Sequence, residues 1–350
     1  MGDAIIGVVA NPLSGRDIRR LVTQASVFPT AEKANMIQRM LTAFGAVGVH
    51  RVLLSTDLGG ISAAVLRALD RRRPAGPDAR RPEVEFLDGQ PIRQTAQDTV
   101  DAVRRMVTAG ARVIVCLGGD GTARVAASAA GDVPLLALST GTNNVFPAVR
   151  EATIAGLAAG LVATGVVPAE DVTTRAKLLE VRAGDRTETA LVDIAVSTER
   201  HVGARAVWDP ATVTQLFCAF AEPDAIGLSS VLGQLSPVAR HEPHGITARL
   251  APGAPRQVLA AIAPGLVVPV GVRGIEPMHP GSVHLVDARA GVIAVDGERE
   301  LTFGPGGQPS VRLRADGPRC VDVAAVLAVS ARLGLLRRTA ADPGSADTDV

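Results

Sequence analysis

Gly118-Gly119-Asp120-Gly121-Thr122 is the stretch of this chain best suited to chemistry. It follows the apolar run Val113 to Leu117 and precedes an alanine-rich segment, so a buried strand gives way to a helix there. Glycines at such a turn let backbone N–H groups approach phosphate oxygens, and the next helix adds the positive end of its dipole. A carboxylate beside phosphates has three uses: it holds a metal ion, accepts a proton or binds a sugar hydroxyl. Asp120 is the one side chain of the five able to do this. The same aspartate could instead be only a turn residue or a helix N-cap, and the stretch alone leaves both readings open. No Gly-Lys-Ser/Thr of a Walker loop follows, and the spaced glycines of the dinucleotide fingerprint are absent.

The elements that must position this turn can be read around it. Ala4 to Ala10 is short, apolar and rich in Ile and Val, as a buried strand is, and ends in the turn-forming Asn11-Pro12-Leu13-Ser14-Gly15. Val49 to Leu54 and Glu83 to Leu87 predict further strands, with a helix over Ile61 to Arg72 and an exposed, Pro-rich loop over Arg71 to Pro82. Ile92, Ala96, Val100, Val103 and Val107 share one helical face, and Gly110 suits the C-cap. After Val113 to Leu117, a helix is predicted over Ala123 to Ala130 and a strand over Pro134 to Leu138, ending in Ser139-Thr140-Gly141-Thr142-Asn143-Asn144. Strands alternating with helices predict an α/β domain with a doubly wound parallel sheet over residues 1–165.

The character changes after about Val166. Lys177 to Arg182 and Thr187 to Ser197 predict strands, and Ala211 to Ala221 and Ala225 to Leu232 short helices. From Gly245 onward come short strands split by Gly and Pro, so residues 166–320 predict a β-rich second domain. Residues 321–338 predict a terminal helix packing back on the first domain, and 339–350 a polar, acidic, disordered tail.

Composition excludes several function classes. The 350 residues are 47% hydrophobic and 20% charged, enough for a substantial core in about two domains. A formal net charge of +1 gives no footprint for nucleic acid and no polybasic membrane patch. Seven Phe, one Trp and no Tyr leave no stacking platform for single strands. Cys116, Cys218 and Cys320 are odd in number and far apart, which argues against disulfides or a zinc site and suits a reducing cytoplasm. No signal peptide is visible. Ala152 to Ala169 is uncharged and holds Gly156-x-x-x-Gly160, a small-residue spacing also found between membrane helices. Its Ala and Gly bring little transfer energy, so a helix outside the membrane, not a transmembrane segment, is expected. Weaker candidates are His241 and His244, flanking Pro243 and lacking further ligands, the loop carboxylates Asp57 and Asp171, Trp208 as a core residue, and Cys116 as an inert strand thiol.

Three motifs occur in order, each just after a predicted strand: Asn11-Pro-x-Ser14-Gly15, Gly118 to Thr122, and Gly141-Thr142-x-Asn144. This set resembles the superfamily of NAD kinases, diacylglycerol kinases and sphingosine kinases. "IGVVANPLSGRDIRRLV" and "PLLALSTGTNNVFP" look most like the ATP–NAD kinase branch that contains acetoin catabolism protein X. The resemblance extends over most of the chain, and "GVIAVDGERELTF" is similar to the Asp-Gly-Glu turn in the second domain of these kinases. It implies an active site between the two domains, Mg²⁺, and ATP or another polyphosphate as phosphoryl donor. Asp120 would be the base for the attacking hydroxyl or a Mg²⁺ ligand. Gly118, Gly119, Gly121 and Thr122 would line the phosphates. Asn11, Ser14 and Gly15 would help hold the nucleotide, with Thr140, Gly141, Thr142, Asn143 and Asn144 approaching the same crevice. Asp193, Asp296 and Glu298 would come from the second domain toward the acceptor, Glu298 as a further candidate metal ligand. The resemblance also implies a homo-oligomer.

Two departures bear on the acceptor. NAD kinases carry an Asn followed by Glu or Asp on a strand of the second domain; here Asp193 takes the acidic place and Val192 that of Asn. The third motif sits nearer the Gly-Thr-x-Asn-Asp of lipid kinases, with Val145 after Asn144. The first expectation is phosphorylation of the 2′-hydroxyl of NAD to give NADP. The alternatives are a lipid or small-alcohol kinase of the diacylglycerol kinase type, and a nucleotide-binding regulator with little catalysis tied to a catabolic operon.

Overall fold

The computed structural model describes residues 3–14, 24, 28–71, 81–89, 91–199, 206–207 and 209–337. Gly15, Trp208, most of the 71–82 loop and the tail 339–350 lie outside the described residues. The first half alternates β1 (Ile5–Ala10), α1 (Thr30–Ala46), β2 (Arg51–Ser55), α2 (Ile61–Arg71), β3 (Glu83–Leu87), α3 (Ala96–Thr108), β4 (Val113–Gly118), α4 (Asp120–Ala130), β5 (Leu135–Ser139) and α5 (Ala152–Ala163). The second half runs through α6 (Ala169–Val172), β6 (Thr173–Arg175), β7 (Leu178–Ala183), β8 (Arg186–Ala190), β9 (Asp193–Ser197), β10 (Val213–Cys218) and α7 (Ser229–Gly233). It continues with β11 (Gly245–Leu250), β12 (Arg256–Ala263), β13 (Leu266–Met278), β14 (Val283–Leu285), β15 (Gly291–Val295), β16 (Glu298–Phe303), β17 (Ser310–Arg314), β18 (Arg319–Val321) and α8 (Val323–Leu333).

The first sheet has the order β3-β2-β1-β4-β5-β18-β6 and is parallel from β3 through β18. Helices cover both faces. Side chains of α1, α2, α5 and α8 pack on one, around Ile37, Met40, Phe44, Val65 and Val326; those of α3 and α4 pack on the other, around Val103, Met106 and Ala126. The strand order reverses direction between β1 and β4, where an open α/β sheet leaves a crevice at its carboxyl edge.

The second half is two antiparallel sheets, β12-β13-β11-β10-β9-β15-β16 and β14-β17-β7-β8. They sandwich Leu179, Val181, Ile194, Phe217, Ile293 and Leu313, while the outer face of the seven-stranded sheet packs on Val231 and Leu232 of α7. The chain then returns: β18 and β6 complete the first sheet, and Val321, Val323 and Val326 enter the first core. Beyond Val166, Val172 of α6 also enters the first core and β6 joins the first sheet.

Several expected elements differ. The helix α1 lies in a stretch that gave no sequence signal. Helix α3 starts at Ala96 rather than Ile92, because Thr95 and Asp98 form a capping box. Thr187 to Ser197 is two strands, broken at Leu191 and Val192. Ala211 to Ala221 is a short 3₁₀ turn and the strand β10, not a helix. Its successive residues Leu216, Phe217 and Cys218 fall alternately into two different cores, so both faces are apolar and the strand's two-residue alternation disappears from the sequence. Of the expected Ala225 to Leu232 helix only the final turn forms, in the helix Ser229–Gly233.

Two packing devices position the site. Helix α5 is buried against α1 through its small residues: a β-carbon on Gly156 would lie 2.9 Å from Ala43 Cβ and 3.0 Å from Met40 Cα, and one on Gly160 2.4 Å from Val47 Cγ2. The small-residue spacing here serves close approach inside a domain core. Among the described residues no helix is long and apolar enough to cross a membrane. The second device is Lys33 of α1, whose side chain is wholly buried. Its ammonium donates to the carbonyls of Asn11 at 2.9 Å, Pro12 at 3.3 Å and Ser14 at 2.9 Å, pinning the loop after β1.

Gly156→Val should overpack the α1–α5 contact and cost about 1–3 kcal/mol of unfolding free energy in urea titration. Lys33→Met keeps the aliphatic bulk but strips a donor from three carbonyls. It should destabilise by about 1–3 kcal/mol in the same measurement.

Candidate active site

A cavity of about 810 Å³ opens at the carboxyl ends of β1, β2 and β4, at the switch point of the first sheet. On the first-domain side it is lined by Asn11, Ser14, Asp57, Gly119, Asp120, Gly121, Thr122, Asn143 and Asn144. Glu298 and Glu300, with Asp296 between β15 and β16, close it from the second domain.

The three loops of the first domain are tied to one another. Asn11 donates to Thr122 Oγ1 at 2.9 Å and accepts the Leu13 amide at 2.8 Å, joining the β1 loop to α4. Ser14 and Thr140 hydroxyls are hydrogen-bonded, joining the β1 and β5 loops. Asn144 donates to Ser139 Oγ at 2.8 Å.

Asp120 begins α4, three residues earlier than the sequence predicts. Its carboxylate accepts the amide of Val145 at 3.0 and 3.1 Å and that of Phe146 at 2.7 Å. The residue singled out as chemical is therefore also the one that fastens the β5 loop to the start of α4.

Two of the motif's glycines are fixed by space rather than by turn conformation. A β-carbon on Gly118 would lie 2.5 Å from Thr122 Cβ, and one on Gly119 2.7 Å from Asn144 Oδ1. At Gly121 the nearest atom would be Glu298 Oε1 at 3.7 Å, an ordinary contact. Gly121 is thus where α4 faces the second domain's carboxylate across the cavity.

Asp296 occupies a two-residue hairpin turn with Gly297; both have positive φ, +48° and +76°. Asp-Gly is the pair such a turn favours. Its fully buried side chain accepts the amides of Leu191 at 3.0 and 3.1 Å, Val192 at 2.8 Å and Asp193 at 3.4 Å, across the break between β8 and β9. Burial pushes its carboxyl up from the usual range, opposed by Arg124 and these amides. Arg124 of α4 reaches over from the first domain, 3.5 Å from Asp296, 3.3 Å from Glu300 and 3.6 Å from Glu188.

The sequence-derived set divides. Asn11, Ser14, Gly119, Asp120, Gly121, Thr122, Asn143, Asn144, Asp296 and Glu298 meet at the cavity. Gly118 and Thr140 lie beneath it, Thr140 wholly buried, and neither they nor Gly141, Thr142 and Asp193 contribute to its lining. Asp193 is buried opposite Cys218 in the sheet, and Val192 is a core residue. Sequence reasoning missed Lys33, Arg124 and Glu300, and read Asp57 as a solvated loop carboxylate. Asp57 accepts the amides of Ile61 and Ser62 and caps α2 at the cavity wall. Cys116 is wholly buried, and burial pushes its thiol up to about 12.

No group of three or more His, Cys, Asp or Glu suited to a metal occurs among the described residues. Asp120 and Glu298 instead fit the habit of Mg²⁺, which uses one or two carboxylates together with substrate phosphates.

The family model described as ATP-NAD kinase N-terminal domain matches residues 6–166, and that of the acetoin catabolism protein X C-terminal domain matches residues 177–316. Acetoin catabolism protein X of Cupriavidus necator is 42% identical over 340 residues, spanning 95% of this chain and 94% of that protein. A solved Bacillus anthracis structure, provisionally assigned as a diacylglycerol kinase, covers 92% of this chain and 98% of its own at 10% identity and a TM-score of 0.45. With a relative this similar along nearly its whole length, the chain belongs to the acetoin catabolism protein X family.

Proposed function

We propose that this protein is an ATP-dependent phosphotransferase that phosphorylates a hydroxyl acceptor, the 2′-hydroxyl of NAD being the first candidate. The observation that carries this reading is that Asp120 and Glu298, from the two halves of the chain, line one cavity at the sheet's switch point, with Glu298 beside Gly121. The first half's match to the NAD kinase domain supports it. The cavity's volume is at the upper end of the range of about 300–1,000 Å³ for small-molecule sites, which suits an acceptor of nucleotide size. Asn143 lines the cavity, and its Oδ1 is buried with no hydrogen-bond partner among the described residues. A ligand donor would satisfy it.

In the transfer, the acceptor oxygen bonds to the terminal phosphorus of ATP and the bond to the bridging oxygen breaks. ADP leaves, and the hydroxyl proton passes to a carboxylate, for which Asp120 is our assignment. Its two amide partners fix the carboxylate's direction before substrate arrives. The backbone of Gly119 and Gly121 admits phosphate oxygens at the N-terminus of α4. Mg²⁺, when bound, would neutralise phosphate charge, with Glu298 as its candidate protein ligand.

A second reading has its own observation. Leu13 and Leu58, 51% and 65% exposed, stand at the cavity rim, where an acyl chain could lie. A lipid acceptor is therefore the alternative. A regulator with little catalysis is the third, motivated by Val192, whose side chain is in the core and not at the cavity.

With Mg²⁺ and ATP, the expected outcome is phosphate transfer to NAD and none to diacylglycerol. Transfer to the lipid alone would overturn the first reading, and ATP binding without any turnover would favour the regulator. Omitting Mg²⁺ should abolish transfer. Asp120→Asn should lower kcat by about 10²–10⁴-fold with a smaller change in ATP affinity, measured by steady-state kinetics and equilibrium binding.

A further inference from the structure

The amides of Val145 and Phe146 donate to Asp120, and their carbonyls have a partner of their own. Arg240, from the second domain, donates to Phe146 O at 2.9 Å and to Val145 O at 2.5 Å. The dipeptide is gripped from both sides, by a carboxylate on its N–H groups and a guanidinium on its C=O groups. Peptide groups polarised at both ends strengthen each other's hydrogen bonds.

Arg240 is itself held. Its guanidinium carbon lies 4.4 Å from the centre of the Phe220 ring and 5.8 Å from that of Phe146, within cation–π range. Its Nε donates to Glu222 at 3.0 Å. Its loop is anchored from below, where Lys177 donates to Ala239 O at 3.2 Å and His244 O at 2.6 Å. Phe146 is buried in the second domain's core, alongside Phe217 and Phe220. The position of the Asp120 carboxylate is therefore set jointly by its own helix and by the second domain.

We propose that Arg240 is a positioning residue for the phosphoryl-transfer site, acting on Asp120 through the Val145–Phe146 segment. It is not among the residues that line the cavity, and on this reading it contacts no substrate. Its function is to fix the segment that orients the carboxylate. Lysine cannot replace it, because one ammonium does not reproduce a planar fork spanning two carbonyls over an aromatic ring. This inference rests on the proposed phosphotransferase reading.

The test is a double-mutant cycle of Arg240→Ala and Asp120→Asn, joined to hydrogen exchange. With the acceptor on which the wild type turns over, Arg240→Ala should lower kcat by roughly 10–100-fold and leave the KM for ATP within about two-fold, since small misplacements at the reacting centre act on the rate. Methylguanidinium added at non-denaturing concentration should restore part of the loss, and Arg240→Lys should remain impaired. In the Asp120→Asn background, Arg240→Ala should cost little further, because the residue it positions has already lost its charge. Independently of turnover, Arg240→Ala should speed amide exchange at Val145 and Phe146 and leave β4 protected. An unchanged kcat, full additivity in the cycle, or unchanged exchange at these two amides would each overturn the proposal. Should Arg240→Ala fail to fold, Arg240→Gln, which keeps a donor, carries the same comparisons. A wild type without turnover on any acceptor would sink the phosphotransferase reading, whereas unaltered exchange would sink only the role of Arg240.

Discussion

The site depends on a carboxylate that binds backbone before it binds anything else. Three loops end at the carboxyl edge of the first sheet, and each alone is a flexible turn. The Asp120 carboxylate joins the second to the third by accepting the amides of Val145 and Phe146. Asn11 joins the first to the second through Thr122, and Ser14 the first to the third through Thr140. Hydrogen bonds to a charged group contribute about 1.5–3 kcal/mol each, more than neutral ones. The triangle is thus strongest at the corner where the ionised side chain sits. Lys33 supplies the matching cation from below, on carbonyls of the first loop.

The second domain uses the same device. Asp296 stands before a glycine, as Asp120 does, and gathers the amides of Leu191, Val192 and Asp193. The two aspartates differ in their surroundings. Asp120 is only half-buried at the cavity, while the side chain of Asp296 is fully buried, and burial raises its proton affinity. A buried carboxylate is tolerated when it is hydrogen-bonded and faces a cation. Arg124 supplies that cation from α4, the helix that Asp120 starts. One short helix therefore carries both the aspartate facing the cavity and the arginine that neutralises the second domain's buried one. The opening of α4 sets the cavity, and its next turn joins the domains.

Much of this frame was legible in the sequence. The parallel strands, the helix over Ile61 to Arg71 and the Gly118 to Thr122 turn carry local signals that tertiary structure did not override. What was lost follows from physics that a local window does not contain. A sheet buried on both faces erases alternation, so β10 resembled a helix. Lys33 carries no local signal, because its carbonyl partners lie about twenty positions earlier in the chain. Arg124 was in plain view within the same stretch as Asp120, but its partners are supplied by strands far along the chain. Spacing located the residues at the cavity, and only three-dimensional contact separated those that line it from those that support it.

The charge of the cavity constrains any ligand. Asp57, Asp98, Asp120, Glu298 and Glu300 line it, whereas Arg124 is the one Lys or Arg side chain among its described lining, and carboxylates already engage it. Two unit charges 4 Å apart still repel by about 4 kcal/mol at an effective dielectric of 20. On the phosphotransferase reading proposed above, a bare polyphosphate would be repelled by these described carboxylates. Backbone N–H groups at the start of α4 offset part of this repulsion, but their dipole already faces the Asp120 carboxylate. On that reading, a cation brought in with the phosphates would offset the rest. A site whose acidic residues exceed its cations favours a metal–polyphosphate complex over the free anion. On that reading, the same carboxylates that repel one form of the donor would select the other.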